Sequence, residues 1–201
     1  VPRHERLMEM EFHFALRTTA TADLLALLHE FDVLRQRHAF GMRQRLEGLV
    51  TGKIDLIYVH GGRFHVLDYK SNRLPSYDAD TLANAMDDSE YTLQALLYAV
   101  ALHRWLRFRL GEAYDYATHF GGIRYLFCRG LDAADANAPG VHAWVPPRTL
   151  IERCFIEAGC LQRQVKGCGH ICGRHSGTEL VGHDVAREVV EHRPQVVPAP
   201  A

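Results

Sequence analysis

The stretch LVTGKIDLIYVHGGRFHVLDYK, residues 49–70, reads as two strands folded around a tight turn. Leu49 to Val59 is rich in β-branched and aromatic residues, as is Phe64 to Lys70, and His60-Gly61-Gly62 between them is turn chemistry. Period two puts Asp68 and Lys70 on one face of the second strand and Tyr69 on the other. Asp55 lies on the first strand, reached through Gly52-Lys53-Ile54. Side chains facing each other across an antiparallel ladder stand about 5 Å apart, which brings Asp55 and Asp68 within reach of a single metal ion.

Hydrolysis of a phosphodiester needs a hard cation, an activated water and positive charge opposite the developing oxyanion. Carboxylates suit Mg²⁺, which is commonly held by one or two of them while it keeps several waters. A lysine beside the ion orients or deprotonates the attacking water, or offsets charge on the phosphate. An Asp–Lys pair on a strand is by itself most often a solvated ion pair. Context strengthens the functional reading, because Asp68 follows the apolar Phe64-His65-Val66-Leu67 and a carboxylate emerging from a buried strand needs partners.

Outward from the hairpin, Met8 to Leu16 alternates, with Met8, Met10, Phe12, Phe14 and Leu16 on one face and Glu9, Glu11 and His13 on the other. Leu24, Leu25, Leu27, Leu28 and Phe31 form a helical block, with Thr21 and Asp23 as cap candidates. A short helix is expected near Asp78 to Met86 and a long one from about Asp88 to Leu110. The stripe of the long helix is Tyr91, Gln94, Tyr98, Ala101, Trp105 and Phe108, spaced by three and four as on a packed face. Gln94 and the Tyr98 hydroxyl interrupt its apolar character. Two readings stay open for them: a satisfied core pair, or groups aimed at the metal site and the DNA backbone. Arg104, Arg107 and Arg109 on the later turns read as a solvated face, with phosphate binding as the second reading. Ile123 to Cys128 is a short buried strand, Val141 to Val145 another, and Pro146-Pro147 opens a last helix near Arg148.

Composition narrows the field. At 201 residues, 47% apolar and 23% charged, the chain holds one domain of ordinary size with an extension. A domain of residues 1–158 is followed by a Gly- and Cys-rich tail of residues 159–201, in which periodicity fades and poor order is expected. A net charge of −1 excludes a protein that simply coats nucleic acid, since nonspecific affinity rests on many basic contacts to phosphate. Any DNA binding then comes from a local patch, a bound ion or neighbouring subunits. No run of about eighteen apolar residues marks a membrane span, and the start lacks a signal-peptide pattern, so a cytoplasmic location is expected. The five Cys argue against a disulfide framework. Cys154, Cys160, Cys168 and Cys172, with His170 and His175, match neither a zinc ribbon nor an iron–sulfur pattern in their spacing, and no metal is assigned to them.

Three segments in order, Gly52-Lys53-Ile54-Asp55, Leu67-Asp68-Tyr69-Lys70-Ser71-Asn72 and Tyr91 through Gln94 to Tyr98, resemble the RecB branch of the PD-(D/E)xK nucleases. So does the stretch from Tyr114-Asp115-Tyr116 through His119-Phe120-Gly121-Gly122 to Tyr125-Leu126-Phe127-Cys128-Arg129-Gly130. The resemblance runs from about Met8 to about Glu157. It implies an α/β, restriction-endonuclease-like fold with an αβββαβ core, a central mixed sheet flanked by helices. It implies Asp55 and Asp68 as Mg²⁺ ligands, completed by the Tyr69 main-chain carbonyl, with Lys70 as the catalytic lysine. Gln94 and Tyr98 match the family's Q-x-x-x-Y motif, which supports the site and contacts DNA.

The implied activity is that of a DNA exonuclease of the exodeoxyribonuclease V type, acting in double-strand break repair and recombination. The implied partners are single strands from unwound duplex, RecC-like and RecD-like subunits, and a helicase domain preceding Val1. The alternative is an inert module of the same fold that guides DNA or docks partner subunits. The family places a His metal ligand on a helix upstream of the Met8 strand. Seven residues do not hold such a helix, so the chain is expected to be a piece lacking it.

Overall fold

The computed structural model describes residues 2, 5–42 and 44–157. The expected boundary near residue 158 and the segment from Cys160 onward lie outside the described residues. In chain order the elements are β1 (Arg6–Ala20), α1 (Thr21–Glu30), β2 (Arg45–His60), β3 (Arg63–Lys70), α2 (Ala79–Asp88), α3 (Tyr91–Leu110), a single 3-10 turn (Gly111–Ala113), α4 (Tyr116–His119), β4 (Phe120–Phe127), β5 (Val141–Trp144) and α5 (Arg148–Glu157). The five strands form one sheet in the order β1-β2-β3-β4-β5. Every pair is antiparallel except β3 with β4, which is parallel. A parallel pair needs a long crossover, and here α2, α3 and α4 supply it. The mixed sheet with helices is the α/β architecture that the resemblance implies.

The hairpin forms where expected. Gly61 and Gly62, both at positive φ, make the turn whose twist suits two antiparallel strands. The inward face of the sheet carries Ile57, Val59, Phe64, Val66, Ile123 and Phe127, all in the core with Ala99 and Leu102 of α3 and Leu150 and Ile151 of α5. α3 is buried around most of its circumference from Ala95 to Leu106, because it packs against α2, α5 and the sheet together.

Several expectations need correction. Met8 does not share a face with Met10: it is 62% exposed, and Leu7 packs against the core instead. Glu9 takes a positive φ of 55°, and this local reversal breaks the period of two without slipping the register, since Met10 still faces Ile54 and Met8 faces Leu56. Opposite this segment on β2, Ile54 and Ile57, three apart, are both buried in the core.

Neither Thr21 nor Asp23 caps α1. Ala20 holds the N-cap position without a side-chain bond, and the Thr21 N–H donates to the Gln44 carbonyl at 3.0 Å. α3 begins at Tyr91, not near Asp88, because α2 runs to Asp88 and Glu90 turns the chain with a left-handed backbone. Phe108, expected on the packed stripe, is 51% exposed. Cys128 is exposed as well, since β4 ends at Phe127 and the chain turns away, with the Gly130 N–H donating to the Phe127 carbonyl. Cys154, grouped by sequence with the tail cysteines, is a buried core residue of α5.

Two buried imidazoles make stability depend on pH. Burial pushes His65 down to about 4 from 6.5, with the Arg124 guanidinium adding to the effect. Burial pushes His103 down to about 4 as well, helped by Arg107. Both folded-state values lie below the unfolded ones. Between about pH 6.5 and 4 the unfolded chain therefore binds more protons, and stability present above that window is lost as pH falls through it. Each histidine contributes a slope of up to about 1.4 kcal/mol per pH unit. The thermal midpoint is expected to fall from pH 6.5 to pH 4, and His65→Gln should flatten that fall. A midpoint that holds or rises across the window would show that these rings accept protons without unfolding.

Candidate active site

Asp68 and Lys70 are successive inward residues at the end of β3, after Phe64 and Val66. Asp68 is 3% exposed, and its neighbour across the parallel ladder is Tyr125 of β4. The Lys70 Nζ lies 2.7 Å from Asp68 Oδ2 and donates a hydrogen bond to Gln94 Oε1 at 2.9 Å. Gln94 and Tyr98 sit one turn apart on α3, and Gln94 Nε2 donates to the Tyr98 hydroxyl at 2.9 Å. Tyr98 in turn donates to the Lys53 carbonyl at 2.9 Å, which ties the helix to β2. Gly52 serves the same junction. The Phe12 ring lies where a side chain at position 52 would begin, 2.4 Å from an added Cβ, and meets Tyr98 edge-on at 5.9 Å.

Asp55 approaches from β2. The last paired residues of β2 and β3 are Leu56 and Leu67, and one step further the same register sets Asp55 against Asp68. The Tyr69 N–H donates to Asp55 Oδ2 at 3.2 Å, while the Tyr69 ring is exposed. Tyr69 thus meets the site through its backbone, as period two requires.

The electrostatics follow from burial. Desolvation is the largest influence on the Asp68 carboxyl and raises it, Asp55 raises it further, and Lys70 and Tyr98 oppose the shift. Burial also raises the Tyr98 and Tyr125 hydroxyls, each reinforced by the charge of Asp68, so both are phenols at neutral pH. Although the Lys70 ammonium stands close to Asp68 Oδ2, it is not aligned for a hydrogen bond, and this buried oxygen has no directed partner.

A divalent ion fits this donor set. Among the described residues no cluster of three or more His, Cys, Asp or Glu side chains converges. Two carboxylates remain, one carrying a buried oxygen that accepts no aligned hydrogen bond and has the Lys70 ammonium as its ionic partner, and Mg²⁺ commonly asks a protein for no more than one or two.

The structure thus joins Asp68, Lys70, Gln94 and Tyr98 in one network and brings Asp55 to its edge through the Tyr69 amide. Gln94 is a satisfied, part-buried amide that accepts from Lys70 and donates to Tyr98. Arg104 and Arg109 lie over rings, Arg104 at 5.3 Å from Phe14 and Arg109 at 5.9 Å from Trp105. Sequence reasoning assigned no role to two aromatic neighbours of Lys70. Its ammonium stands 4.0 Å from the centre of the Tyr91 ring and 5.1 Å from that of Tyr125. The signal was present, since Tyr91 precedes Gln94 by three on the helix and Tyr125 lies on the inward face of β4.

Comparison with known proteins agrees with this geometry. The PD-(D/E)XK nuclease superfamily matches residues 3–136. The RecBCD enzyme subunit RecB of Escherichia coli (strain K12) is 42% identical over 149 residues, covering 72% of this chain and 12% of the relative. The subunit of the same name from Mycolicibacterium smegmatis is 36% identical over 178 residues, covering 73% of this chain and 16% of the relative. That of Mycobacterium tuberculosis (strain ATCC 25618 / H37Rv) is 44% identical over 118 residues, covering 54% and 11%. The chain therefore spans only 11% to 16% of the length of these relatives. With the hairpin, the buried Asp–Lys pair and the family match in agreement, the chain belongs to the PD-(D/E)XK nuclease superfamily, as a nuclease domain of the RecB type.

Proposed function

We propose that the chain hydrolyses DNA phosphodiester bonds as an exonuclease of the exodeoxyribonuclease V type, with Mg²⁺ held by Asp55, Asp68 and the Tyr69 main-chain carbonyl. One observation carries this reading: the Asp68–Lys70 pair is buried, and one Asp68 oxygen has no directed hydrogen bond. Burying a carboxylate costs several kcal/mol unless charge and hydrogen bonds compensate it. A domain used only for docking or guiding DNA gains nothing from that cost.

The bound ion supplies Lewis acidity toward the phosphate and lowers the pKa of water at the site. The protein's own groups do the rest. Asp68 and Asp55 provide negative charge from two strands of one hairpin, one step beyond its last paired residues. Lys70 presents its ammonium beside Asp68, where it holds the attacking water or meets the charge developing on the phosphate oxygens. Gln94 fixes that ammonium from α3 at 2.9 Å. Tyr98 bonds both Gln94 and the Lys53 carbonyl and so ties α3 to β2 across the site.

A chain of net charge −1 has little nonspecific pull on DNA, which supports delivery of single strands by a helicase and RecC-like and RecD-like subunits in the cytoplasm. Among the described residues no helix is long and apolar enough to cross a membrane. On this reading the process served is double-strand break repair and recombination.

Titration calorimetry with Mg²⁺ should show one site in the wild type and none in Asp68→Ala. Equal binding by the two proteins would remove the ion from this hairpin. Lys70→Ala should lower kcat for a single-stranded oligonucleotide by about a hundredfold or more while DNA affinity changes little, since the lysine acts on the transition state. Normal cleavage by this variant would return Lys70 to the role of an ion-pair partner.

A further inference from the structure

We propose that Tyr91 and Tyr125 are positioning residues that form an aromatic seat for the Lys70 ammonium, an inference that rests on the role of Lys70 proposed above. The two rings come from different elements, Tyr91 from the first turn of α3 and Tyr125 from β4, yet they stack at 5.9 Å with planes 22° apart. Lys70 Nζ lies over both, 4.0 Å from one centre and 5.1 Å from the other. Each ring is itself tethered. Tyr91 donates from its hydroxyl to Asn72 Oδ1 at 3.1 Å, and Tyr125 donates to Gln94 Oε1, the atom that also accepts from Lys70, at 3.1 Å.

The chemistry of an ammonium explains what such a seat achieves. Lys70 has three N–H donors. Gln94 Oε1 takes one, and the Asp68 carboxylate attracts a second. A third acceptor would tie up the last donor and leave none for a phosphate oxygen or the attacking water. Ring faces attract the cation through their quadrupole without accepting along one direction, so they hold the head of a flexible four-carbon side chain and leave that donor available. The rings matter most when Asp68 shares its charge with a bound cation, because the carboxylate then holds Lys70 less firmly. Gln94 and the two tyrosines remain.

The scarcity of lysine makes the seat measurable without any reaction. Lys53, Lys70 and Lys166 are the only lysines in the chain, so selective labelling of lysine at the ε-carbon with ¹³C gives three methylene signals. Ring currents should move the ε-protons of Lys70, assigned by their loss in Lys70→Arg, well upfield of the other two. Tyr91→Leu should return them toward the ordinary position and lower kcat by about tenfold with KM nearly unchanged. Tyr91→Phe keeps the face and loses only the hydroxyl, and it should restore the upfield signal and most of the lost kcat.

An unshifted Lys70 signal in the wild type overturns the proposal without need of any variant. So does an upfield signal that Tyr91→Leu abolishes while kcat stays at the wild-type value, because the rings would then pack against Lys70 without positioning it. If the wild type shows the upfield signal but Lys70→Ala cleaves as fast as the wild type, the catalytic reading of Lys70 fails, and the positioning role fails with it.

Discussion

Two opposite charges, Asp68 and Lys70, sit at the end of a strand whose preceding inward residues are apolar, and much of the local architecture serves to keep them there. A carboxylate in this position is unfavourable in proportion to its desolvation, which is why its proton affinity rises despite the adjacent ammonium. Everything that touches the pair comes from a different element. Tyr125 is the Asp68 neighbour on β4, Gln94 and Tyr98 descend from α3, and Asp55 of β2 accepts from the Tyr69 amide between the two charges. A displacement of any one of these elements would uncover or unpair a buried charge, so the site and the fold constrain each other.

The parallel pairing of β3 with β4 has a direct consequence for that site. Because the strands run side by side, the connection between them must cross the sheet, and α3 is the element that crosses. It passes over the end of β3 with Gln94 facing Lys70, and Tyr98 reaches the backbone of β2 four residues on. The helix therefore does two jobs: it buries the inward face of the sheet, and it supplies the hydrogen bonds that the buried lysine requires.

Much of this was legible in the sequence. The hairpin around Gly61-Gly62, the shared face of Asp68 and Lys70 and the helical spacing of Gln94 and Tyr98 follow from periods of two and 3.6 alone. What escaped was set by tertiary context. The exposure of Met8 depends on the reversed backbone at Glu9, which no alternation of side chains announces. The cap of α1 is a backbone bond from Thr21 to Gln44, a residue far along the chain, so local cap chemistry pointed elsewhere. The rings around Lys70 come from positions 91 and 125, and only the folded crossover brings them together.

The central claim is that the Asp68–Lys70 pair is kept for chemistry at a cost in stability. Thermal unfolding of a double variant, Asp68→Leu with Lys70→Met, compared with the wild type in the absence of divalent ions tests it most directly. Replacing a buried ion pair by apolar groups of similar volume is commonly neutral or stabilising, by up to about 4 kcal/mol. The account therefore expects a midpoint at or above that of the wild type, together with loss of any further rise when Mg²⁺ is added. A midpoint several degrees below the wild type would contradict it, and would make the pair a structural element that the fold itself needs.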